Sequence, residues 1–168
     1  MAQFAKLSRP QDRHRPMKEN SDIAEGKSCG ACGLCCKLIG VQSLGKPQFV
    51  WCKSYRKGIG CQIYDDRPSD CRAFVCYWMH IPGLGEAWRP DRCGFVMHIA
   101  EGGRRLNIEV DPAASQHWRR EPFYPAFKQW ATEGAARGLV LMVWVGRRCI
   151  EIRPDRDIDH GMLRPAPI

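Results

Sequence analysis

The sequence lacks the long apolar runs that mark membrane-spanning helices and secretory signals. No uninterrupted apolar segment reaches about 18 residues, the length at which a membrane helix is predicted. The first ten residues, MAQFAKLSRP, are followed by a charged stretch instead of the apolar core of a signal peptide. We therefore expect no membrane segment and no export, and we interpret the chain as a cytoplasmic protein.

Several motifs of well-known enzyme classes are also missing. The sequence contains no nucleophile elbow, no phosphate-binding loop and no dinucleotide fingerprint. It also lacks the paired His-x-Glu and Pro-Cys-x-x-Cys motifs of nucleobase deaminases. These absences leave no residue assigned as catalytic, argue against a standard hydrolase or kinase, and leave open whether the chain is an enzyme.

Acidic residues are in deficit: 18 Asp and Glu face 26 Lys and Arg, which gives a net charge of +8. A basic excess can indicate a nucleic-acid partner. Here the cations are spread along the chain between acidic residues, and ligand thiolates would lower the net charge to about +4 if two divalent ions were bound. The pattern favours a solvated basic surface over a nucleic-acid interface.

Cysteine, in contrast, is abundant, with ten in 168 residues and nine of them between positions 29 and 93. Thiols stay reduced in the cytosol, where dense cysteine spacings indicate metal ligands more often than disulfides. Residues 29–93 also contain few aliphatic side chains. A metal would help so small a segment to fold.

The first cluster is Cys29-Gly-Ala-Cys32-Gly-Leu-Cys35-Cys36, a spacing that lets one short loop surround a metal. Its first three cysteines match the opening of bacterial iron–sulfur ferredoxins, but Cys36 follows directly where a longer spacer is expected. Adjacent cysteines rarely bind one tetrahedral ion without strain. We interpret Cys35 and Cys36 as ligands of two neighbouring centres, or of one cluster with a spare thiol.

Four further cysteines downstream, Cys52, Cys61, Cys71 and Cys76, complete a set of eight. Eight thiols are enough for two four-cysteine sites, or for one iron–sulfur cluster with supporting thiols. Pro68 and Ser69 predict the start of a helix over residues 70–80. It would place Cys71 in the first turn, and Cys76 would then point about 140° away unless the helix is distorted. Cations expected to offset the thiolate charge are Lys53, Arg56, Lys57, Arg67 and Arg72.

Together, three runs resemble the YkgJ-type cysteine-cluster family, which is described as chelating zinc or iron. They are Cys29-x-x-Cys32-x-x-Cys35-Cys36, Gly60-Cys61-Gln62-Ile63-Tyr64, and residues 67–78, RPSDCRAFVCYW. The resemblance covers about residues 29–80 and includes Arg67, Pro68 and Arg72. It implies no particular reaction, and it implies that the metal ligands are Cys29, Cys32, Cys35, Cys36, Cys52, Cys61, Cys71 and Cys76.

The rest of the chain has a more conventional pattern. Residues 95–100 and 104–110 predict a β-hairpin, and residues 139–145 and 149–152 predict a second one. Asp111 and Pro112 predict a helix start, and a second helix is expected over residues 125–136. Cys93 and Cys149 lack close partners and are interpreted as small buried hydrophobic residues. The fold class is α+β: a metal-stapled Cys-rich segment packed with an antiparallel sheet of two hairpins and two short helices.

Four regions are predicted along the chain. Residues 1–27 form a flexible N-terminal arm, residues 28–93 the Cys-rich metal-binding segment, residues 94–153 the α+β segment of the same domain, and residues 154–168 a flexible tail.

The resulting interpretation is a protein that coordinates zinc or iron, as ions or as a 4Fe–4S cluster, through clustered thiolates. Its role would be structural, metal-handling or redox-sensing. Two alternatives stay open: an iron–sulfur protein acting in electron transfer or as an oxidoreductase or transferase, and a nucleic-acid-binding zinc module. The expected partner is the metal ion, with an additional protein partner left open and no membrane involved.

Overall fold

A computed structural model of the protein describes residues 23–163. Its cysteine-rich part consists of very short elements joined by turns. In chain order they are α1 (Cys35–Leu38), β1 (Tyr55–Arg56), β2 (Gly60–Cys61), α2 (Ser69–Ala73), α3 (Tyr77–His80) and α4 (Pro90–Cys93). Two 3-10 helices, Gln42–Leu44 and Glu86–Trp88, lie among them. No long apolar stripe exists here to support a longer helix.

The remainder forms one five-stranded sheet, whose strands lie side by side in sequence order. The strands are β3 (Phe95–Ala100), β4 (Arg105–Val110), β5 (Val140–Val145), β6 (Arg148–Ile152) and β7 (Asp157–Met162). Strands β3 and β4 form one antiparallel hairpin and β5 and β6 another. Both predicted hairpins are therefore present.

The two hairpins meet through a parallel pair, β4 with β5, in which Ile108 lies opposite Val143. The prediction of an antiparallel sheet is therefore wrong at this junction, and the sheet is mixed. Residues 111–139 connect the two strands and include the longest helix, α5 (Phe123–Ala135). A helical crossover of this kind returns the chain to the same end of the sheet, which makes the next strand parallel.

Only one of the two predicted helices of this region is a full α-helix. Asp111 caps a turn as expected, since its side chain accepts a hydrogen bond from the amide of Ala113 at 3.0 Å. Single 3-10 turns follow, Pro112–Ala114 and His117–Arg119, before α5 begins at Phe123. The prediction of a first helix starting at Asp111 and Pro112 is therefore wrong: only these short turns form. Pro122 lies just beyond them and cannot continue a helix.

The main hydrophobic core lies between α5 and the sheet. Phe127 of α5 is fully buried and packs edge-on against Trp88 and Phe95. Phe95 and Met97 of β3 face this core, while Val96 between them belongs to a smaller cluster with Cys32, Leu34 and Leu38. Since successive side chains of a strand point to opposite faces, the cysteine-rich segment packs around both faces of the edge strand β3.

The ends of the described chain are more ordered than the sequence indicates. Most of the predicted arm, residues 1–22, lies outside the described residues, but Ala24 is buried and its amide bonds to the carbonyl of Met79 at 2.8 Å. Residues 157–162 of the predicted tail pair with β6 as strand β7, while residues 164–168 again lie outside the described part. None of the helices within residues 23–163 has the length and apolar character that a membrane crossing requires.

Candidate metal centre

The loop that carries the first cysteines turns tightly at its two glycines. Gly30 and Gly33 have positive φ angles of 44° and 55°, a backbone conformation that residues other than glycine adopt only with strain. The amide of Cys32 bonds to the carbonyl of Cys29 at 3.2 Å, and the amide of Cys36 bonds to that of Gly33 at 2.9 Å. Cys29, Cys32, Cys35 and Cys36 are thereby held on one short turn that runs into α1.

The β1–β2 hairpin packs directly on this loop. A Cβ atom added at Gly60 would lie 2.3 Å from the carbonyl oxygen of Gly30, and one added at Gly33 would lie 2.0 Å from the ring of Tyr55. Only glycine permits such close approach at both points. The contact brings Cys61, at the end of β2, towards the first cluster.

Cys52 is held beside the adjacent cysteine pair. Its amide donates a hydrogen bond of 2.9 Å to the carbonyl of Cys36, and its carbonyl accepts one of 3.0 Å from Tyr55. These bonds connect α1 to the hairpin through the backbone. No sequence motif connects Cys52 to the adjacent cysteine pair, and the backbone pairing provides this connection.

The predicted helix over residues 70–80 is broken in the middle. Helix α2 ends at Ala73, and Phe74 and Cys76 have extended ψ angles of 114° and 112° before α3 begins. Cys71 lies in the first turn of α2, as predicted. The break removes the divergence that a continuous helix would impose, and Cys71 and Cys76 line the same cavity.

This cavity has a volume of about 130 Å³ and is lined by seven of the eight candidate cysteines. They are Cys29, Cys35, Cys36, Cys52, Cys61, Cys71 and Cys76. The eighth, Cys32, lines a separate cavity of about 20 Å³ together with Cys29, Cys35 and Cys76. The fold thus brings the downstream cysteines to the same region as the cysteines of residues 29–36, although they lie far from them in sequence.

Six of these thiols have a raised pKa in the metal-free protein, which keeps them neutral at pH 7. Burial raises the pKa of Cys29, Cys32 and Cys76 to about 11 in each case. Cys36 is the exception, because a hydrogen bond from Cys35 lowers its pKa, with help from Lys46, Arg67 and Cys61. A bound cation would reverse the effect of burial, since metal coordination deprotonates a thiol outright.

Two lysines flank the cysteines, of which Lys46 is buried and Lys27 is partly exposed. Lys46, only 8% exposed, donates from Nζ to the carbonyls of Lys37, Ile39 and Pro47. Lys27 donates in the same way to the carbonyls of Trp78, Ile81 and Leu84. Burial lowers the pKa of both lysines, while nearby thiolates raise it: Cys52 and Cys36 for Lys46, and Cys76 for Lys27. Each ammonium therefore favours negative charge on the neighbouring sulfurs.

Arg67 supplies a third cation at the large cavity. Its guanidinium lies 3.6 Å from the centroid of the Tyr64 ring, and its Nε donates to the carbonyl of Tyr64 at 2.7 Å. This anchoring fixes the guanidinium, whose charge contributes to the lowered pKa of Cys36 and partly offsets the burial that raises the pKa of Cys29, Cys61 and Cys71. Arg72 also lines the cavity, as the sequence led us to expect of both arginines.

Other expectations for the surroundings of the site turn out differently. Lys53, Arg56 and Lys57 are exposed and do not line the cavity, so they are not placed to offset thiolate charge there. Lys27 and Lys46 were missed, since nothing in their spacing sets them apart from surface lysines. Cys93 and Cys149 are buried, at 1% and 0% exposure, as predicted for small hydrophobic residues.

The sulfurs have not converged into a ligand geometry. Within residues 23–163, no three Cys, His, Asp or Glu side chains are placed so that they could hold a metal ion as they stand. The donor chemistry suits zinc or iron, because thiolates are the ligands both prefer in four-cysteine sites. Ligation by this set therefore requires the sulfurs to move together as they lose their protons, a coupling common in small metal sites.

Comparisons of the chain with protein-family models, with characterised proteins and with solved structures give no match. Function is therefore inferred from the site itself.

Proposed function

We propose that this protein binds zinc or iron through the thiolates of the eight cysteines between residues 29 and 76. The observation that carries the proposal is the cavity of about 130 Å³ that seven of these cysteines line, although they come from four separate stretches of the chain. A reducing compartment and a metal would explain this density of free thiols, all ten of which are unpaired in the structure. The resemblance to the zinc- or iron-chelating family points the same way.

The charges around the cavity suit a site that becomes anionic. The negative charge of eight thiolates is larger than the positive charge of two divalent ions, and buried negative charge is costly unless it is compensated. Lys27, Lys46 and Arg67 stand at the cavity or beside it, each held by hydrogen bonds to backbone carbonyls. These fixed cations would stabilise the metal-bound thiolates.

An iron–sulfur cluster is the second candidate, favoured by the size of the cavity. A volume of about 130 Å³ holds on the order of ten water molecules, which is more than one tetrahedral ion needs. The extra room would accommodate the inorganic sulfides of a cluster. A redox or enzymatic role would then become the leading one, with a role in metal handling or structural support favoured if the metal is zinc.

Elemental analysis and an absorption spectrum of anaerobically purified protein test the proposal. We expect zinc or iron in the wild type, and colour near 400 nm only if an iron–sulfur cluster is bound. Cys61→Ser should lower the metal content, because Cys61 lines the cavity. Cys149→Ala is the matched control: that cysteine is equally a free thiol, buried in β6 outside the cavity, and its loss should leave metal content unchanged. Wild-type protein without either metal would refute the proposal.

A further inference from the structure

The eight cysteines do not line the two cavities equally. Cys36, Cys52, Cys61 and Cys71 line only the cavity of about 130 Å³, and Cys32 lines only the cavity of about 20 Å³. Cys29, Cys35 and Cys76 line both and form the wall between them. Adding the three wall cysteines to Cys32 divides the set into four and four, the ligand number of a tetrahedral thiolate centre.

Interactions also connect the four cysteines that line only the large cavity to one another. The thiol of Cys61 hydrogen-bonds to Cys36, and the amide of Cys52 bonds to the carbonyl of Cys36. Cys71 interacts electrostatically with Cys36, Cys52 and Cys61. Each member is thus connected to another member by a direct bond or by its charge.

The adjacent pair is where the two groups separate. Side chains of consecutive helical residues diverge by about 100°, and the thiols of Cys35 and Cys36, although hydrogen-bonded to each other and both lining the large cavity, differ in their position relative to the small one. Cys35 reaches the wall between the cavities, whereas Cys36 faces only the large one. The pair therefore supplies one thiol to each group.

The two groups differ in their access to solvent and to ligands. The small cavity has room for one or two water molecules and is bordered by apolar side chains, Trp78, Met79, Pro90 and Val96. Cys32, which lines it, is buried at 8% exposure, and burial raises the pKa of Cys29, Cys32 and Cys76 to about 11. Each of the four cysteines of the other group is partly exposed. The large cavity is bordered by the cations Lys46 and Arg67. Metal held by the more buried thiols is harder for water and chelators to reach than metal held by the partly exposed set.

Building on the proposed function, we infer that the chain forms two four-thiolate metal centres of unequal accessibility. The inner centre consists of Cys29, Cys32, Cys35 and Cys76 and holds its metal as a structural element. The outer centre consists of Cys36, Cys52, Cys61 and Cys71 and exchanges its metal with solution. The vicinal cysteines join the two centres through a single peptide bond.

Zinc-loaded, full-length protein challenged with a chelator tests this division. We expect two zinc ions per chain, released in two kinetic phases of equal amplitude, the second slower than the first. Cysteine alkylation followed by mass spectrometry during the fast phase should label the outer four cysteines while the inner four stay protected. This measurement needs no variant, so it holds even where a cysteine substitution prevents folding.

Two single variants provide the matched comparison. Cys71→Ser should abolish the fast phase and leave one slowly released zinc, and Cys32→Ser should remove the slow phase. Release in one phase with all eight cysteines labelled together would overturn the division while leaving metal binding intact. Absence of bound zinc and iron from the wild type would instead overturn the proposed function itself, so the two failures are distinguishable.

Discussion

Cys36 and Cys71 line the same large cavity, yet the pKa of one thiol is lowered and that of the other is raised. Cys36 accepts hydrogen bonds from the thiols of Cys35 and Cys61, and these bonds, with the nearby cations Lys46 and Arg67, lower its pKa. Burial and the charges of neighbouring cysteines raise the pKa of Cys71. Because the thiolate is the nucleophile, single residues of one cavity are expected to react at different rates.

We predict that iodoacetamide modifies Cys36 before Cys71 in the reduced, metal-free protein at pH 7. A lowered pKa leaves more thiolate at neutral pH, so the pH at which Cys36 becomes reactive should lie below that of Cys71. Peptide mass spectrometry after timed alkylation between pH 6 and about pH 10 measures both.

Cys35→Ala is the control for this prediction, since it removes the largest cause of the lowered pKa. Alkylation of Cys36 should then require higher pH, while Cys71 should be unaffected. Equal rates for the two cysteines in the wild type would contradict the hydrogen-bond arrangement.

Whether a single site residue can be predicted from the sequence depends on its residue type. The cysteines stand out because their number and spacing are unusual, and Arg67 stands out because it lies within the same motif. Lys46 cannot be recognised in this way. Its burial arises from three backbone carbonyls that meet only when the chain from residue 37 to residue 47 has folded back on itself.

Among the elements, the contact between the β1–β2 hairpin and the first cysteine loop is the most sensitive to added atoms. Gly60 lies so close to the loop that a Cβ atom would be 2.3 Å from the carbonyl oxygen of Gly30. We predict that Gly60→Ala forces the hairpin away from the loop, lowers metal content and reduces the free energy of unfolding by about 1–3 kcal/mol. Elemental analysis and urea unfolding measure the two effects.

Gly58→Ala is a matched control for that substitution. Gly58 also has a positive φ angle, 79° against 107° at Gly60, so both alanines strain the backbone. In the part of the chain that the structure describes, nothing lies within 4 Å of a Cβ atom at Gly58. Gly58→Ala should therefore preserve metal content, and an equal loss in both variants would mean that backbone strain, and not the contact with the loop, is responsible.

Elements were predictable where the signal is local. Both hairpins follow from alternating apolar residues on either side of Gly-containing turns, and Asp111 caps its turn as expected. The parallel pairing of β4 and β5 depends on the end of the sheet to which α5 returns the chain. No local sequence pattern predicts that end. Strand β7 was missed because its residues, including Asp157, Asp159 and His160, are polar, which is common at the edge of a sheet.

In the whole molecule, two bodies of unequal core size are joined at β3. Within residues 23–163, the main core contains nineteen buried residues, whereas the cluster beneath the cysteine loop contains four. An ion pair reinforces the junction: Lys37 of α1 contacts Asp111, just after β4, at 2.7 Å, with side chains 20% and 13% exposed. The sheet can thus persist by hydrophobic burial alone, while residues 29–76 depend on other sources of stability.

Metal removal should therefore loosen the cysteine segment without unfolding the sheet. We predict that chelation increases hydrogen exchange at amides such as those of Cys52 and Gln62, whose bonds organise the hairpin, and leaves the β4–β5 amides protected. Mass spectrometry of peptides before and after chelation measures this difference. Phe127→Ala serves as the opposite control, since loss of this buried ring should cost about 3–5 kcal/mol and weaken protection in the sheet even with metal bound. Simultaneous loss of protection in both regions on chelation would mean that the metal stabilises the whole fold, because the small cluster and the main core would then unfold as one cooperative unit.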